Sequence, residues 1–186
     1  TKEYIAAFRP GIVTDTQDIT GNLLRSSDVL PSEEDVRAAL PRFTGEIEQI
    51  PPMYSAIKIN GRKLYDIARR GGEVEREARR ITIHSIDYLG QENGDHMLRI
   101  RCSKGTYIRT LCHDLGEYLG CGGCMAALRR TRSGSFSVEN ARRIGELTRA
   151  DRDTLFPADT LFSAAASLTL TAAQEKRCRC GNPFRT

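Results

Sequence analysis

Arg101-Cys-Ser-Lys-Gly-Thr-Tyr-Ile-Arg-Thr-Leu-Cys-His-Asp-Leu-Gly-Glu-Tyr-Leu-Gly120 runs from the end of a strand, through a polar junction, into a helix. Ile108, Leu111, Cys112, Leu115 and Leu119 recur at helical spacing and form one apolar stripe, which must face a sheet. Gly120 is placed to end that helix in a left-handed conformation. The junction Ser103-Lys-Gly-Thr106 can offer backbone N–H groups to a phosphate or a base. Beside it stand Lys104, Tyr107 and Arg109: a flexible cation, a flat ring that can stack on a base, and a planar fork that fits a carboxylate or phosphate. That combination points to a nucleotide ligand, RNA above all.

Working outward, the chain alternates strand and helix signals. Strands are predicted near Tyr4–Arg9, Arg80–Leu89 and Met97–Cys102, and Gln91-Glu-Asn-Gly-Asp95 reads as the turn of an antiparallel hairpin between the last two. Helices are predicted over Ser32–Leu40, Leu64–Arg70 and Ile108–Leu119. Ser32 is the N-cap of the first, with Asp35 three residues on, and Gly71-Gly72 ends the second. After Gly120, Cys121-Gly-Gly-Cys124 is read as letting the chain turn into a further helix. The fold class is α+β, a mixed and mostly antiparallel sheet flanked by helices.

The chain has 186 residues, enough for one substantial core, and its 28 Lys+Arg against 24 Asp+Glu give a formal charge of only +4. The charge is uneven: Arg129, Arg130, Arg132, Arg142, Arg143, Arg149 and Arg152 cluster, while Glu33, Glu34 and Asp35 lie far upstream. A basic face follows, either a plain solvated surface or an RNA-binding one. No apolar run approaches the ~20 residues of a membrane span, and Thr1-Lys-Glu-Tyr-Ile5 is no signal peptide, so a cytoplasmic location without a membrane partner is expected. The first residues enter directly into an alternating strand pattern, which gives the expectation of a truncated start.

Six cysteines raise the question of a metal. Cys121 and Cys124 form a CxxC, and Cys178 and Cys180 a second close pair, but a zinc site would need all four to converge without a nearby histidine. No metal site is assigned. Cys102 and Cys112 read as small core residues, and His84, His96 and His113 share no metal spacing.

The order of these blocks resembles one family, the bacterial tRNA pseudouridine synthases B. The resemblance is carried by Lys2-Glu-Tyr4, Gly11-Ile-Val-Thr-Asp-Thr-Gln-Asp18, Ile50-Pro-Pro-Met-Tyr-Ser-Ala-Ile-Lys58, Asn60-Gly-Arg-Lys-Leu-Tyr65, Gly105-Thr-Tyr-Ile-Arg109 and Ala127-Leu-Arg-Arg-Thr-Arg132. It implies a pseudouridine synthase fold over residues 1–171, with residues 172–186 beginning a truncated C-terminal RNA-binding region of the PUA kind. It also implies an isomerase that turns a uridine in the T loop of tRNA into pseudouridine, with tRNA as partner through its T arm, no cofactor and a monomeric state. Detaching, rotating and rejoining a uracil requires the nucleotide to leave its stack for a pocket.

By the same resemblance, Tyr4 stacks on the flipped uracil, Tyr107 packs against it and stands ready for proton transfer, Arg109 pairs with a catalytic aspartate, and Leu128 touches the uracil edge through its backbone. Read from the residues alone, Tyr4 is first a core tyrosine on an alternating strand, and Arg109 has the alternative of an exposed helix arginine. Lys58, Lys63, Lys104, Arg129 and Arg130 are candidate phosphate contacts or plain surface charges. Asp18 either braces the turn Asp18-Ile-Thr-Gly21 or touches the RNA backbone. The family's nucleophile lies in a Gly-x-Leu-Asp-Pro-x-Ala-x-Gly motif ahead of the counterpart of Tyr4. None of Asp15, Asp18, Asp66 or Asp114 stands in such a motif, so no catalytic residue is assigned and these residues alone are expected to be inactive. Two other readings remain: a non-catalytic RNA-binding or tRNA-chaperone module, and a guide-RNA-dependent synthase subunit.

Overall fold

The alternation around Tyr4 becomes a nine-residue strand, β1 (Lys2–Pro10), in the computed structural model, which describes residues 1–59, 61–147, 156–162 and 165–183. There follow β2 (Ile12–Thr14), β3 (Leu23–Ser26), α1 (Glu33–Ala39), β4 (Gly45–Gln49), β5 (Lys58–Ile59), β6 (Arg62–Lys63) and α2 (Leu64–Ala68). Then come β7 (Arg79–Glu92), β8 (Asp95–Cys102), α3 (Ile108–Tyr118), β9 (Gly123–Ser133), β10 (Phe136–Ser137) and α4 (Ala172–Arg179). Contacts divide the chain into two units, Thr1–Ala141 and Arg142–Thr186.

The first unit is built on one six-stranded sheet in the order β10-β9-β1-β8-β7-β4, every ladder antiparallel. β7 and β8 meet at Asn93-Gly94, whose φ values of 53° and 84° are both left-handed, with Glu92 facing Asp95. This is the two-residue turn whose twist matches that of the strands. Tyr4, Ala6 and Phe8 point to one face of β1 and pack with Leu98, Ile100 and Cys102 against Ile108, Leu111, Cys112 and Leu115 of α3. The helical stripe therefore covers the sheet, as its spacing predicts. Cys102 and Cys112 lie in this core, and burial pushes both thiols up in pKa.

Local capping also follows the sequence. Asp35 N–H donates to Ser32 Oγ at 3.2 Å while Ser32 N–H donates to Asp35 Oδ2 at 2.9 Å, closing a capping box on α1. α2 ends early, at Ala68, in a Schellman turn: Gly72 N–H reaches Ile67 O at 3.1 Å and Gly71 N–H reaches Ala68 O at 2.9 Å, with Gly71 left-handed.

One expectation is corrected. Beyond Gly120 the chain enters the eleven-residue strand β9 and not a helix. Met125-Ala-Ala-Leu-Arg-Arg130 has good helix formers, but β1 needs partners on both edges and β9 supplies the second ladder, from Lys2↔Ser133 to Pro10↔Gly123. The glycines permit the close approach. A Cβ on Gly116 would lie 2.3 Å from the backbone carbon of Gly122, and one on Gly123 would lie 2.4 Å from Phe8 Cε2.

In the second unit, 3-10 turns occupy Ile144–Glu146 and Ala158–Phe162, and α4 starts at a Thr171–Gln174 capping box. Arg149 and Arg152 of the predicted basic cluster lie outside the described residues, as does Asn60. Among the described residues, no helix is long and apolar enough to cross a membrane.

Candidate functional site

Residues 103–107 carry the chain from β8 across to the start of α3, with Gly105 left-handed at φ 88° and Lys104 exposed. Tyr107 is the N-cap of α3 at φ −101°, ψ 107°, and no side chain caps the helix there. Its backbone is held instead by Gln49, the last residue of β4. Gln49 Nε2 donates to Tyr107 O at 3.0 Å and Tyr107 N–H donates to Gln49 Oε1 at 2.8 Å. Two residues into the helix, half-buried Arg109 donates through Nη2 to the backbone carbonyl of Tyr54. The segment 49–54 therefore wraps the first turn of α3, and Arg76 Nη1 holds it from the other side through Pro51 O at 3.2 Å.

Sequence reasoning missed Gln49 and Tyr54. Gln49 bonds the backbone of Tyr107, and Tyr54 offers its own carbonyl to the side chain of Arg109, each partner lying more than fifty positions away, so no local pattern announces them; the prolines Pro51 and Pro52 are the one hint that this segment is stiff.

Tyr4 sits on β1, opposite Ile100 of β8 and Arg130 of β9. It is only 8% exposed, and the Arg130 guanidinium lies over its ring at 5.8 Å. Burial raises its pKa, while the neighbouring cation works in the opposite direction. Leu128 is opposite Ala6, so Leu128 and Arg130 share the β9 face that meets Tyr4, whereas Arg129, opposite Ile5, faces the other way. The structure thus separates the two neighbouring arginines by strand alternation.

Lys58 and Lys63 face each other across the two-stranded ribbon β5-β6. Lys63 Nζ donates to Tyr65 Oη at 2.9 Å, and this bond raises the pKa of its ammonium. Lys58, Arg62, Lys63 and Arg70 line a shallow cavity of about 540 Å³ with Asp66 as its carboxylate. The start of α2 is tied back to the chain that leads into the ribbon: Leu64 N–H reaches Ile57 O at 2.8 Å and Tyr65 N–H reaches Ser55 O at 3.1 Å.

Asp18 braces its turn. Its Oδ1 accepts from Thr20 N–H at 3.0 Å and from Thr20 Oγ1 at 2.7 Å, and its carbonyl accepts from Gly21 N–H at 2.9 Å. An isolated parallel bridge joins Asp18 to Met125 of β9. Asp15 is spent on Asn22, and burial raises the pKa of Asp114. Cys121 and Cys124 are buried, and burial pushes the Cys124 thiol up to about 11. Among the described residues, no group of three or more His, Cys, Asp and Glu could hold a metal ion.

The family described as TruB family pseudouridylate synthase (N terminal domain) matches residues 1–108, and the tRNA pseudouridylate synthase B C-terminal domain matches residues 109–162. Proteins named tRNA pseudouridine synthase B are similar: that of Alkaliphilus oremlandii is 45% identical over 97% of this chain and 61% of its own length. That of Aromatoleum aromaticum is 46% identical over 93% and 58%, and that of Pseudomonas aeruginosa 51% identical over 80% and 49%. The chain thus spans about half to three fifths of the length of these relatives. Among solved structures, a Cbf5-Nop10-Gar1 complex matches with a TM-score of 0.56 and 31% identity, over 78% of this chain and 34% of that one. An H/ACA RNP bound to a substrate RNA containing 2'-deoxyuridine matches with a TM-score of 0.51 and 27% identity, over 78% and 32%.

Proposed function

The chain belongs to the TruB family of pseudouridylate synthases, and on that footing we propose that it forms part of an enzyme that isomerises a uridine of tRNA to pseudouridine. The finer reading is uridine 55 in the T loop, reached through the T arm by a monomeric cytoplasmic protein. Residues 172–186 then begin a further RNA-binding region. The observation that carries the proposal is that two rings and two cations stand in two sets: Tyr4 beneath Arg130, and Tyr107 and Arg109 together at the first turn of α3.

Tyr4 serves as the stacking partner although Arg130 covers it now. A cation over an aromatic ring is worth about 0.5–1 kcal/mol at an exposed site, whereas a base stacked on a ring contributes about 1–3 kcal/mol. A flipped uracil therefore displaces the guanidinium, which is freed for the adjacent phosphate. Leu128 presents its backbone on the same face, and Tyr107 approaches the base from the helix start. Arg109 has five N–H donors and a single described bond, to Tyr54, so its fork can still receive a carboxylate. No nucleophile is assigned within residues 1–186. Lys58, Lys63, Lys104 and Arg130 track the RNA backbone, and Arg129 joins them only if the strand wraps the β9 side.

The test is to supply the protein containing this chain with an unmodified tRNA transcript and follow tritium release from labelled uridine. One pseudouridine in the T loop is the expected product, with none in a transcript carrying cytidine there. Tight binding without product would favour the RNA-binding module. A requirement for a guide RNA would favour the guide-RNA-dependent synthase subunit.

A further inference from the structure

We propose that Gln49 is a positioning residue for this site: its carboxamide fixes the backbone of Tyr107, and through it the Tyr107 ring and the Arg109 fork, for a base delivered out of the RNA stack. The inference rests on the pseudouridine synthase reading above and deepens it.

The geometry is that of a strand pair made by a side chain. Gln49 is 3% exposed, and its two amide atoms meet the N–H and C=O of one residue at 2.8 and 3.0 Å. Those partners also settle which end of the amide is which, because an N–H can meet only the oxygen and a carbonyl only the nitrogen. Tyr107 O accepts in addition from Leu111 N–H at 3.1 Å, so the same carbonyl starts the helix and receives the clamp. A helix start with no side-chain cap ordinarily frays. Here the clamp replaces the cap. The ring of Tyr107 and the fork of Arg109 lie within the first turn, so their positions follow the dihedral angles of the residue that Gln49 holds. A displacement of about 1 Å in such a group is enough to slow a reaction by roughly a hundredfold.

Gln49→Glu and Gln49→Leu test this. Glutamate keeps the acceptor for Tyr107 N–H but sets a carboxylate oxygen against Tyr107 O; once protonated it again offers one donor and one acceptor. The clamp predicts that Gln49→Glu lowers the single-turnover rate at least tenfold at about pH 8, leaves affinity for a T-arm stem-loop within about threefold, and regains rate by about pH 5.5 as the buried carboxyl takes its proton. The wild type should show no such rise on acidification. A residue that merely stabilises the fold would lower affinity and melting temperature together and would give no acid recovery. Independently of activity, hydrogen exchange at the Tyr107 and Leu111 amides should quicken at least tenfold in Gln49→Leu while Leu119 stays protected. A wild-type rate in both variants, rate loss without acid recovery, or unchanged exchange at Tyr107 would each overturn the proposal. If the wild-type protein makes no pseudouridine, the functional reading falls, and the exchange measurement alone decides whether Gln49 is the clamp.

Discussion

Arg130 and Arg129 are neighbours in sequence and opposites in the sheet, and replacing them one at a time by alanine should expose the difference. Arg130 shares the face of Tyr4 and Leu128, with its guanidinium 5.8 Å from the Tyr4 ring centre, whereas Arg129 stands opposite Ile5 on the reverse face. If Arg130 neutralises one phosphate, its loss should lower the slope of log affinity against log salt by about 0.7 for single-stranded RNA and about 0.9 for a duplex. Over a fourfold rise in salt the deficit of Arg130→Ala against wild type should then shrink by about threefold. Arg129→Ala should leave the slope within error. The protein itself should lose little: one exposed cation over a ring is worth roughly 0.5–1 kcal/mol. The assay is a filter-binding titration of a T-arm stem-loop at several salt concentrations, with melting curves as a control for folding. An unchanged slope in Arg130→Ala, or an equal drop in Arg129→Ala, would refute the assignment of faces to roles.

Three further outcomes are expected. Tyr4→Leu in the active protein should reduce turnover far more than RNA affinity, with Tyr4→Phe retaining much of it because the ring does the stacking; measured rates equal to wild type in Tyr4→Leu would remove the ring from the pocket. His96 is 1% exposed between Phe8 and Tyr88, with Tyr88 Oη 2.9 Å from its Nδ1, and burial lowers its pKa. The unfolded chain then binds a proton below about pH 6.5 before the folded one does, so stability should be full above that pH and fall as pH drops toward the folded value; urea midpoints that stay level between about pH 7.5 and 5.5 would contradict this. Gly116→Ala would drive a Cβ to 2.3 Å from the backbone of Gly122, which should cost about 2 kcal/mol or more and lower the melting temperature by roughly 4–8 °C, as read by calorimetry.

What the sequence disclosed and what it hid divide along a physical line. The stripe from Ile108 to Leu119, the Asn93-Gly94 turn, the Ser32 cap and the Gly71-Gly72 stop are local devices, in which a few neighbouring residues settle the backbone by themselves. The strand β9 was illegible for the opposite reason. Its composition favours a helix, and only the demand of β1 for a second ladder, more than a hundred residues upstream, makes it a strand. The site divides in the same way. Tyr107 and Arg109 were visible because a glycine-bearing junction precedes them, and Arg109 proved to be half-buried and bonded to Tyr54, not a free surface arginine. Gln49 was invisible because glutamine at the end of a strand carries no signal of what it will bond.

The arrangement around α3 shows why site and stability can be separated in this fold. The helix is held by three kinds of contact that do different work. Its apolar stripe buries Ile108, Leu111, Cys112 and Leu115 against the sheet, and this burial supplies most of the free energy that keeps it there, at about 25 cal/mol for each Å² of apolar surface. Away from the stripe it is fixed by single polar bonds to the segment before α1: buried Thr110 Oγ1 donates to Gln17 Oε1 at 2.7 Å, and exposed Arg25 pairs with Glu117. Its first turn is set by Gln49 and Tyr54. A net hydrogen bond contributes only about 0.5–1.5 kcal/mol, and a surface ion pair about 0–1 kcal/mol, so losing one such polar contact leaves the apolar docking in place. The geometry of Tyr107 and Arg109 has no such reserve, because each is placed by one or two bonds to a neighbouring segment. Substitutions at these polar anchors should consequently register in the rate of chemistry on the flipped base before they register in the melting of the protein, whereas substitutions in the stripe should do the reverse.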